Sequence, residues 1–497
     1  MKKNKSLLVR KINFRACPRF AALRGAGLSV PSLAAGEGFP LPSLTRATFA
    51  LLGIVLLTAC GSAQEKASRE VPEKVTYTEH VAPLLNQECN YCHRDGGSAH
   101  ISFTSYELAR RSAGAIAYVT RERIMPPWPA DPHYTQFAGQ RVLSERDIAV
   151  LEKWVAQGTP EGPKEKLPPL PDYPYDLNLG KPDLILPVQP VLLEGNKGDR
   201  FLIVKVPFEL PKDTFASLVE FVAGPHNVVH HVNGDMVRYA PGRKSNVFAG
   251  ALATDMVLDS TIVMAFEKLG LPNDDGSYPE LQKSVVNYLP GVFAFKYPEG
   301  MGGYKLPQKG AFLLNDMHLG NSRKTVWDSS HINVYFSPIP PRRPVKEIQL
   351  GTVGISPVEP DLKIQPNTVK EVRSRYTIPN DISVLTINPH MHLLGKSFKA
   401  YALKPNGDTI RLISIPRWDF NWQYFYTFKK PVKIPAGSTI VAEGVYDNTT
   451  KNPFNPFSPP QLVSDNNGSM KSTDEMFQFI ITYLPYEAGD EDIVIAK

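Results

Sequence analysis

The sequence predicts a multidomain protein in which a small all-α domain is followed by two tandem all-β sandwiches. The chain has 497 residues, which is the length of about three domains at ~150 residues each. Between residues 75 and 162 the apolar residues recur at helical spacing, whereas after residue 185 they alternate with polar residues in strand-like segments. The 46 prolines, 20 tyrosines and 24 phenylalanines also favour a β-rich architecture.

The predicted helical domain covers residues 75–162. Val81–Leu85 is its first apolar segment, and Tyr106–Thr120 is an alanine-rich amphipathic stretch. Ser144 resembles a helix N-cap, because Ser-Glu-Arg-Asp precedes a run of apolar residues at helical spacing. Gly158 is expected to end that helix.

A proline-rich segment separates the helical pattern from the strand pattern. Residues 163–174 are PKEKLPPLPDYP, and we assign 163–185 to a linker. A second proline cluster at 338–344 predicts a boundary between sandwiches at 186–342 and 343–497. The clearest strand-like segments are Phe201–Leu210, Ser330–Phe336 and Thr439–Tyr446.

The N-terminal segment has the features of an export signal. The apolar stretch from Thr48 to Cys60 follows basic residues and is too short to span a membrane comfortably. Its end, Leu-Thr-Ala-Cys, resembles a bacterial lipobox, which predicts a lipoprotein signal peptide over 1–59, lipidation of Cys60 and a polar tether over 60–74. The alternative is an ordinary signal peptide with an incidental cysteine. We therefore expect a periplasm-facing, lipid-anchored protein of the cell envelope, and Gly61 gives a slight preference for the outer membrane.

The charge distribution argues against a nucleic-acid partner. Residues 1–59 carry nine Lys/Arg and one Glu, which accounts for +8 of charge, although the formal net charge of the whole chain is only +6. The remainder carries 46 Lys/Arg and 48 Asp/Glu, a net charge of −2. A nucleic-acid-binding protein usually has a basic excess, so this class is excluded.

The most specific motif is C-x-x-C-H at Cys89, Cys92 and His93. This motif is the attachment site of a c-type haem, in which both thiols form thioether bonds and the histidine is an axial ligand of iron. We predict Met125 as the second axial ligand, because prolines after it would hold its loop against the porphyrin and a thioether suits electron transfer.

The alternatives for the second axial position are His100, His133 or an open site. Residues 77–162 resemble a class of bacterial mono-haem cytochrome c domains in which C-x-x-C-H is followed by M-P-P-W and then by a helix ending in W-V-x-x-G. Here the later motifs are Met125–Trp128 and Trp154–Gly158. In that class the domain is often fused to a copper monooxygenase module.

Two groups of histidines in the β region have the spacing of metal ligands. His230 and His231 are adjacent, so they point to opposite faces of a regular strand and can share a metal only at a bend or bulge. The alternative is that one is buried and the other exposed. His390 and His392 are two residues apart, so both project from one face of a strand.

A copper site in the mature chain must be built from histidine or methionine. The two thiols of the C-x-x-C-H motif are committed to haem, and no other cysteine follows the predicted lipidation site. Imidazole together with thioether suits copper better than zinc. Met391, between the two histidines of the second group, is expected to point away from the metal and pack.

From about residue 186 to 484 the chain resembles the copper type II, ascorbate-dependent monooxygenases, the family of peptidylglycine α-hydroxylating and dopamine β-monooxygenases. The motifs V-H-H, H-x-G, H-x-H and D-E-M appear in the family's order, at residues 229–231, 318–320, 390–392 and 474–476. The resemblance implies two tandem jelly-roll domains with one copper ion on each, facing across a cleft. It implies that the electron-storing copper is bound by His230, His231 and His318, and the O2-binding catalytic copper by His390, His392 and Met476.

The chain departs from the peptide-acting members of this family where they recognise substrate. Their arginine two residues before H-x-H is replaced by Asn388, and their tyrosine four residues after the methionine ligand by Ile480. A glycine-extended peptide is therefore not the expected substrate. His226 and His331 match no ligand of the family and are expected to be structural.

The sequence thus predicts a haem- and copper-dependent monooxygenase that hydroxylates a C–H bond of an unknown small organic or peptide-like substrate with O2. The fused cytochrome would deliver electrons to the copper centres, and a periplasmic ascorbate-like reductant or redox protein would be the donor. The alternative is a non-catalytic haem and copper electron-transfer or copper-binding lipoprotein. A third hypothesis, an electron-transfer partner whose sandwiches serve only for docking, predicts no copper.

Overall fold

The structure is a computed structural model that describes residues 71–173, 179–224, 226–255, 262–290, 294–298, 300–320, 322, 324–466, 468 and 471–495. The predicted signal peptide, Cys60 and most of the tether lie outside these residues. Within the described ranges, no helix combines the length and apolar character that crossing a membrane requires.

The described chain begins with a helical region. After a π-helical turn at Tyr77–Val81, its helices are α1 (Ala82–Glu88), α2 (Tyr106–Arg111), α3 (Ala113–Arg121) and α4 (Glu145–Ala156). They bury one apolar core that includes Leu85, Ile116 and Trp154. This core packs the helices around the segment that carries the C-x-x-C-H motif.

The predicted start of the last helix is confirmed by its hydrogen bonds. Ser144 Oγ accepts from Asp147 N at 3.1 Å, and the Asp147 carboxylate accepts from Ser144 N at 3.3 Å, which is a capping box. The stretch predicted over Tyr106–Thr120 is two helices rather than one. Ser112, with φ −103° and ψ 2°, leaves the helical region and breaks it.

The first sandwich contains eleven strands and helix α5 among the described residues. Its sheets have the strand orders β1-β11-β4-β8 and β6-β3-β9-β5-β7, and β2 pairs separately with β10, all antiparallel. The elements are β1 (Leu184–Pro187), β2 (Val191–Leu193), β3 (Arg200–Glu209), β4 (Thr214–Val222), β5 (Val229–Arg238), β6 (Ala253–Asp255), α5 (Ile262–Lys268), β7 (Glu280–Tyr288), β8 (Tyr304–Leu306), β9 (Lys309–Leu319), β10 (Val326–Asp328) and β11 (His331–Phe336).

The second sandwich contains ten strands among the described residues. Its sheets have the orders β12-β21-β15-β18 and β14-β19-β16-β17, with β13 paired to β20. The strands are β12 (Lys346–Gly351), β13 (Lys363–Ile364), β14 (Thr368–Thr377), β15 (Ile382–Met391), β16 (Gly395–Leu403), β17 (Thr409–Ile415), β18 (Tyr426–Ile434), β19 (Thr439–Asn448), β20 (Val463–Ser464) and β21 (Phe477–Pro485). The predicted β-sandwich architecture is confirmed, and the proline cluster at 338–344 lies between β11 and β12.

The segment between α3 and α4 packs on the second sandwich. The amide of Asp131 donates to the carbonyl of Ser414 at 2.8 Å, and the amide of Ala138 donates to the carbonyl of Thr427 at 2.8 Å. Phe137 is fully buried in the core of that sandwich. The helical region is therefore anchored to the second sandwich by main-chain hydrogen bonds and by apolar packing, which fixes the position of Met125 at the start of this segment.

Candidate metal centres

The first histidine group (His230, His231 and His318) is brought together by a β-bulge. In the β5–β9 pair Val229 lies opposite Leu319 and His231 lies opposite His318, so His230 is an extra residue in β5. The ring centroid of His318 is 4.5 Å from that of His230 and 5.2 Å from that of His231. The bulge supplies the irregularity that lets two adjacent imidazoles turn toward one point.

Gly320 leaves the space that the His230 ring occupies. A Cβ atom at residue 320 would lie 2.3 Å from His230 Nε2, which is closer than any non-bonded contact allows. His318 is held from the other side by Phe201, whose ring stacks on it with centroids 4.2 Å apart. The glycine of the H-x-G motif therefore has a steric role beside the first histidine group.

Two carboxylates orient imidazoles of the first histidine group. The Nε2–H of His231 donates to Asp316 at 2.9 Å, and the Nε2–H of His318 donates to Asp199 at 3.0 Å. Each hydrogen bond leaves the Nδ1 lone pair of its ring free to bind a metal. The metal-binding atoms of Asp199, His230 and His318 also lie within 4.8 Å of one another.

Neither carboxylate was predicted from the sequence. Asp316 had a usable signal, because it lies two residues before His318 on β9 and so projects from the same face of the strand. Asp199 had none, since it precedes β3 and reaches His318 across 119 residues of sequence.

Burial and the neighbouring carboxylates act differently on the rings of the first histidine group. Burial disfavours the protonated form of His231, but Asp316 outweighs this and raises the pKa of His231. Burial would raise the pKa of Asp316, yet His231 holds it at about 2. Burial, reinforced by the neighbouring histidines, lowers the pKa of His318 to about 4, so His318 is neutral and able to bind metal at pH 7.

The second histidine group (His390, His392 and Met476) lies where β15 and β21 meet. The rings of His390 and His392 have centroids 5.0 Å apart. Met391 lies opposite Phe477 at the end of the β15–β21 pair, and Met476 directly precedes Phe477 in the chain. Met391 is fully buried in the core of the sandwich, as predicted. Burial lowers the pKa of His390 to about 3, which keeps it neutral.

The residues before Met476 hold the second histidine group in place. The Nδ1–H of His392 donates to the carbonyl of Asp474 at 3.0 Å, which leaves Nε2 free. The carboxyl group of Glu475 accepts from the backbone amides of His392 at 2.9 Å and Leu394 at 2.6 Å. Glu475 is fully buried, and burial raises its pKa to about 8. Asp474 and Glu475 of the D-E-M motif thus both contact the turn that carries His392.

The residues of the C-x-x-C-H motif line a cavity of about 400 Å³, which we call the haem cavity. Both thiols are free. The Nδ1–H of His93 donates to the carbonyl of Ile101 at 2.8 Å, which leaves Nε2 for iron, and the ring stacks on Phe103 at 4.4 Å. Burial lowers the pKa of His93. Two thiols, a neutral oriented imidazole and apolar walls fit a covalently bound haem c.

The candidate axial ligands lie in different places. Met125 and His100 both line the haem cavity together with Cys89 and Cys92. His133 lines a separate groove beside Arg417 and does not line the haem cavity. The placement is compatible with either Met125 or His100 as the second ligand.

The haem cavity reaches the first histidine group. His230, His231 and His318 line the same cavity as the C-x-x-C-H motif. A smaller cavity of about 40 Å³, which we call the gap cavity, is lined by residues of both histidine groups, among them His231, Asp316, His390 and His392. The three candidate centres therefore adjoin one another in the order haem motif, first histidine group, second histidine group.

Other residues singled out in the sequence have structural contacts. The amide nitrogen of Asn388 donates to the carbonyl of Tyr424 at 3.0 Å, so it is engaged rather than free for substrate. The aromatic side chains of Trp418, Tyr424 and Tyr426, which lie close together in the sequence, are buried in the core of the second sandwich. His226 lines the haem cavity, although the sequence assigned it no role there.

The donor set of the two histidine groups fits copper. Imidazole nitrogens with a thioether at the second group suit copper better than zinc, whose sites favour cysteine, histidine and carboxylate. Burial and neighbouring histidines keep His318 and His390 in the neutral form that binds metal.

Residues 355–488 match the family model described as copper type II ascorbate-dependent monooxygenase, C-terminal domain. The protein is thus a copper monooxygenase, an oxidoreductase, and O2 with an ascorbate-like reductant is consistent with this family. The match includes the second histidine group and does not extend to the first or to the C-x-x-C-H motif.

Similarity to other known proteins is low. The chain matches no curated protein at a significant level. Similar solved structures include chains of infectious bursal disease virus, strains Gx and Gt, at 10% and 11% identity and a TM-score of 0.14 each. The alignments cover 63% and 62% of this chain and 79% and 81% of the viral chains. Similarity at this level carries no functional inference.

Proposed function

We propose that this protein hydroxylates a C–H bond of a small organic substrate with O2, and that electrons reach its copper centres through a fused cytochrome c domain. The balanced reaction is R–H + O2 + 2 electrons + 2 H⁺ → R–OH + H2O. Haem c would be attached at Cys89 and Cys92, with His93 and Met125 as axial ligands. Copper would be held at the two histidine groups defined above.

The single observation that carries the proposal is the continuity of the haem cavity. His93 and Met125 line it together with the residues of the first histidine group. The gap cavity then adjoins both histidine groups. This order supports a route for electrons from the cytochrome domain to the first group and onward to the second.

Bound copper would supply one-electron redox chemistry and O2 activation. The protein's own part is to position and shield the ligands. The carbonyl of Asp474 fixes the ring orientation of His392, and Glu475 fixes the turn on which that ring is carried. His392 and Met476 are only 2% exposed, so bulk water is excluded from this group.

The lining of the gap cavity supports an uncharged substrate. Its apolar members include Phe201, Leu289 and Phe420, and the Asp316 carboxylate in its lining is paired with His231. The described lining residues include no lysine or arginine that would bind a carboxylate or phosphate. At about 40 Å³ the cavity holds only a few water molecules, so a larger substrate would require the two sandwiches to separate locally.

The cellular setting is part of the proposal. Lipidation of Cys60 would anchor the protein to the cell envelope facing the periplasm, where an ascorbate-like reductant or a redox protein would reduce it. Export agrees with the haem motif, since haem c is attached outside the cytoplasmic membrane.

The test is the copper-to-iron ratio of mature protein that has been produced with haem c maturation, loaded with copper and dialysed. We expect two copper ions per iron, falling to one in a His390→Ala/His392→Ala variant. Dithionite-reduced haem should reoxidise faster under O2 in copper-loaded than in copper-free protein. Iron without tightly held copper would overturn the proposed centres. Two copper ions without substrate-dependent O2 uptake across a panel of neutral substrates would favour the electron-transfer alternative.

A further inference from the structure

We propose that Asp199 and Asp316 make the copper centre at His230, His231 and His318 the lower-potential member of the pair. The inference rests on the proposed function, because it assigns a role to residues around the same centres. The inference goes beyond the proposed function by stating which copper centre favours Cu(II) and which side chains cause the difference in potential.

The first histidine group has two imidazoles that donate to carboxylates. The distances are 2.9 Å from His231 Nε2 to Asp316 and 3.0 Å from His318 Nε2 to Asp199. Both hydrogen bonds use Nε2, so both rings present Nδ1 to a metal. The third ring, His230, is the extra residue of the β-bulge, and its centroid lies 4.5 Å from that of His318.

An anionic acceptor behind an imidazole changes the metal that the imidazole binds. The carboxylate draws the N–H proton toward itself and raises the basicity of the other ring nitrogen. The added electron density and the negative charge stabilise Cu(II) more than Cu(I), because Cu(II) carries one more positive charge. Two such contacts at one centre therefore lower its reduction potential.

The second histidine group has no imidazole–carboxylate hydrogen bond among its described contacts. The ring of His392 donates to the carbonyl of Asp474, which is neutral. Glu475 is close, but it accepts from backbone amides and not from a ring. The thioether of Met476 is a soft ligand, which favours Cu(I). The second centre is therefore the higher-potential one, and an electron moves downhill from the first centre to the second.

The two carboxylates, Asp199 and Asp316, differ in which copper centres they affect. Asp316 lies between the groups, because it contacts His231 and also lines the gap cavity with His390. Its charge therefore acts on both centres. Asp199 contacts the first group through His318 and is not among the described residues that line the gap cavity. Asp199→Asn is consequently the sharper test, and its effect should be confined to the first centre.

The experiment uses two full-length backgrounds that each keep one copper centre. His390→Ala/His392→Ala keeps the first and His230→Ala/His231→Ala keeps the second. Copper potentials are measured by redox titration monitored by electron paramagnetic resonance, in holoprotein with haem bound. We expect the first centre to have the lower potential. Asp199→Asn should raise the potential of the first centre by at least about 59 mV, which corresponds to a tenfold fall in the ratio of Cu(II) to Cu(I) affinity.

The matched control is Asp213→Asn, which removes a surface carboxylate paired with Lys305. Asp213 follows β3 at the end opposite Asp199, about 33 Å away along the ten-residue strand. Asp213→Asn should leave the reduction potential of the first copper centre unchanged. Thermal unfolding of each variant checks that the fold is retained, and Asp316→Asn provides a second, independent shift in the same direction.

Three results would overturn the inference. One is a potential of the first copper centre that lies above the potential of the second copper centre. Another is a shift in Asp199→Asn that is no larger than the shift in Asp213→Asn. The third is loss of a copper–oxygen bond in Asp199→Asn, which would make Asp199 a ligand and not a positioning residue. Copper binding in neither background would instead overturn the proposed function itself, and the inference with it.

Discussion

The steric role of Gly320 gives the sharpest prediction about the first histidine group. In Gly320→Ala the new Cβ would lie 2.3 Å from Nε2, 2.7 Å from Cδ2 and 2.9 Å from Cε1 of His230. Non-bonded heavy atoms prefer about 3.5–4.0 Å, so the ring must move by about 1 Å or more. The backbone of residue 320 can move little to relieve the clash, because its amide donates to the carbonyl of Val228 at 2.7 Å.

A displacement of this size is enough to disturb metal binding. Ligands have to be held within about 0.5 Å of their productive positions. We expect Gly320→Ala to weaken copper binding at the first centre by about 10- to 100-fold, which is the range seen when the support of a metal ligand is removed. The corresponding loss of binding free energy is about 1.4–2.8 kcal/mol.

The assay is competition for Cu(I) with a chromophoric chelator in the His390→Ala/His392→Ala background, which leaves one copper centre. Gly310→Ala is the matched control. Gly310 lies on β9, the strand that Gly320 directly follows, and a Cβ at residue 310 would lie 2.6 Å from Cζ of Phe208, which is a comparable clash with an aromatic ring. Gly310 is eight residues from His318, about 26 Å along the strand.

The two variants should lose stability to a similar degree, while only Gly320→Ala loses copper affinity. Unchanged affinity in Gly320→Ala would refute the steric reasoning. An equal loss in Gly310→Ala would show that the effect comes from general destabilisation and not from His230.

Three further predictions concern other parts of the chain. Glu475→Ala should lower the free energy of unfolding in denaturant by roughly 2–4 kcal/mol, because two buried amides lose their acceptor; a loss below about 1 kcal/mol would contradict this, and Glu475→Gln should recover part of it. Burial alone would raise the pKa of Asp490, but hydrogen bonds from Arg343 hold it at about 2, below its ordinary 3.8. The contribution of Asp490 to stability is therefore present above about pH 4 and lost as the pH falls toward 2. Asp490→Asn should lower the free energy of unfolding by about 2 kcal/mol at pH 7 and flatten its pH dependence in acid-unfolding titrations. A mutant that keeps the wild-type acid profile would exclude this role of Asp490. Met125→Ala should change the visible spectrum of attached haem while His133→Ala leaves it unchanged, and the opposite pattern would exclude Met125 as the ligand.

The structure also changes how the helical region is understood. Residues 126–138 lie within the predicted helical domain, yet they contribute a fully buried phenylalanine to the core of the second sandwich. The carbonyl of Pro127 accepts from the hydroxyl of Tyr424 at 2.6 Å. The position of Met125 is thus tied to the sandwich that carries the second histidine group, which links the geometry of the haem cavity to that of the copper centres.

The sequence by itself determined the features that depend on neighbours along the chain. The spacing of Cys89, Cys92 and His93 predicts haem attachment, because the chemistry needs those three groups close together along the chain. The two-residue spacing of His390 and His392 places them on one side of a strand end, since side chains alternate along a strand. The N-cap at Ser144 was readable for the same reason, as its partner Asp147 is three residues away.

Only the tertiary structure decided which distant residues complete the centres. Asp199 and His318 are 119 residues apart, and His231 and Asp316 are 85 apart. Their contacts depend on the register of β3 and β5 against β9 and on the bulge at His230. A one-residue change in register would turn every side chain of a strand to the other face. No local pattern encodes that register, so the carboxylates and the continuity of the cavities became visible only when the strands were paired.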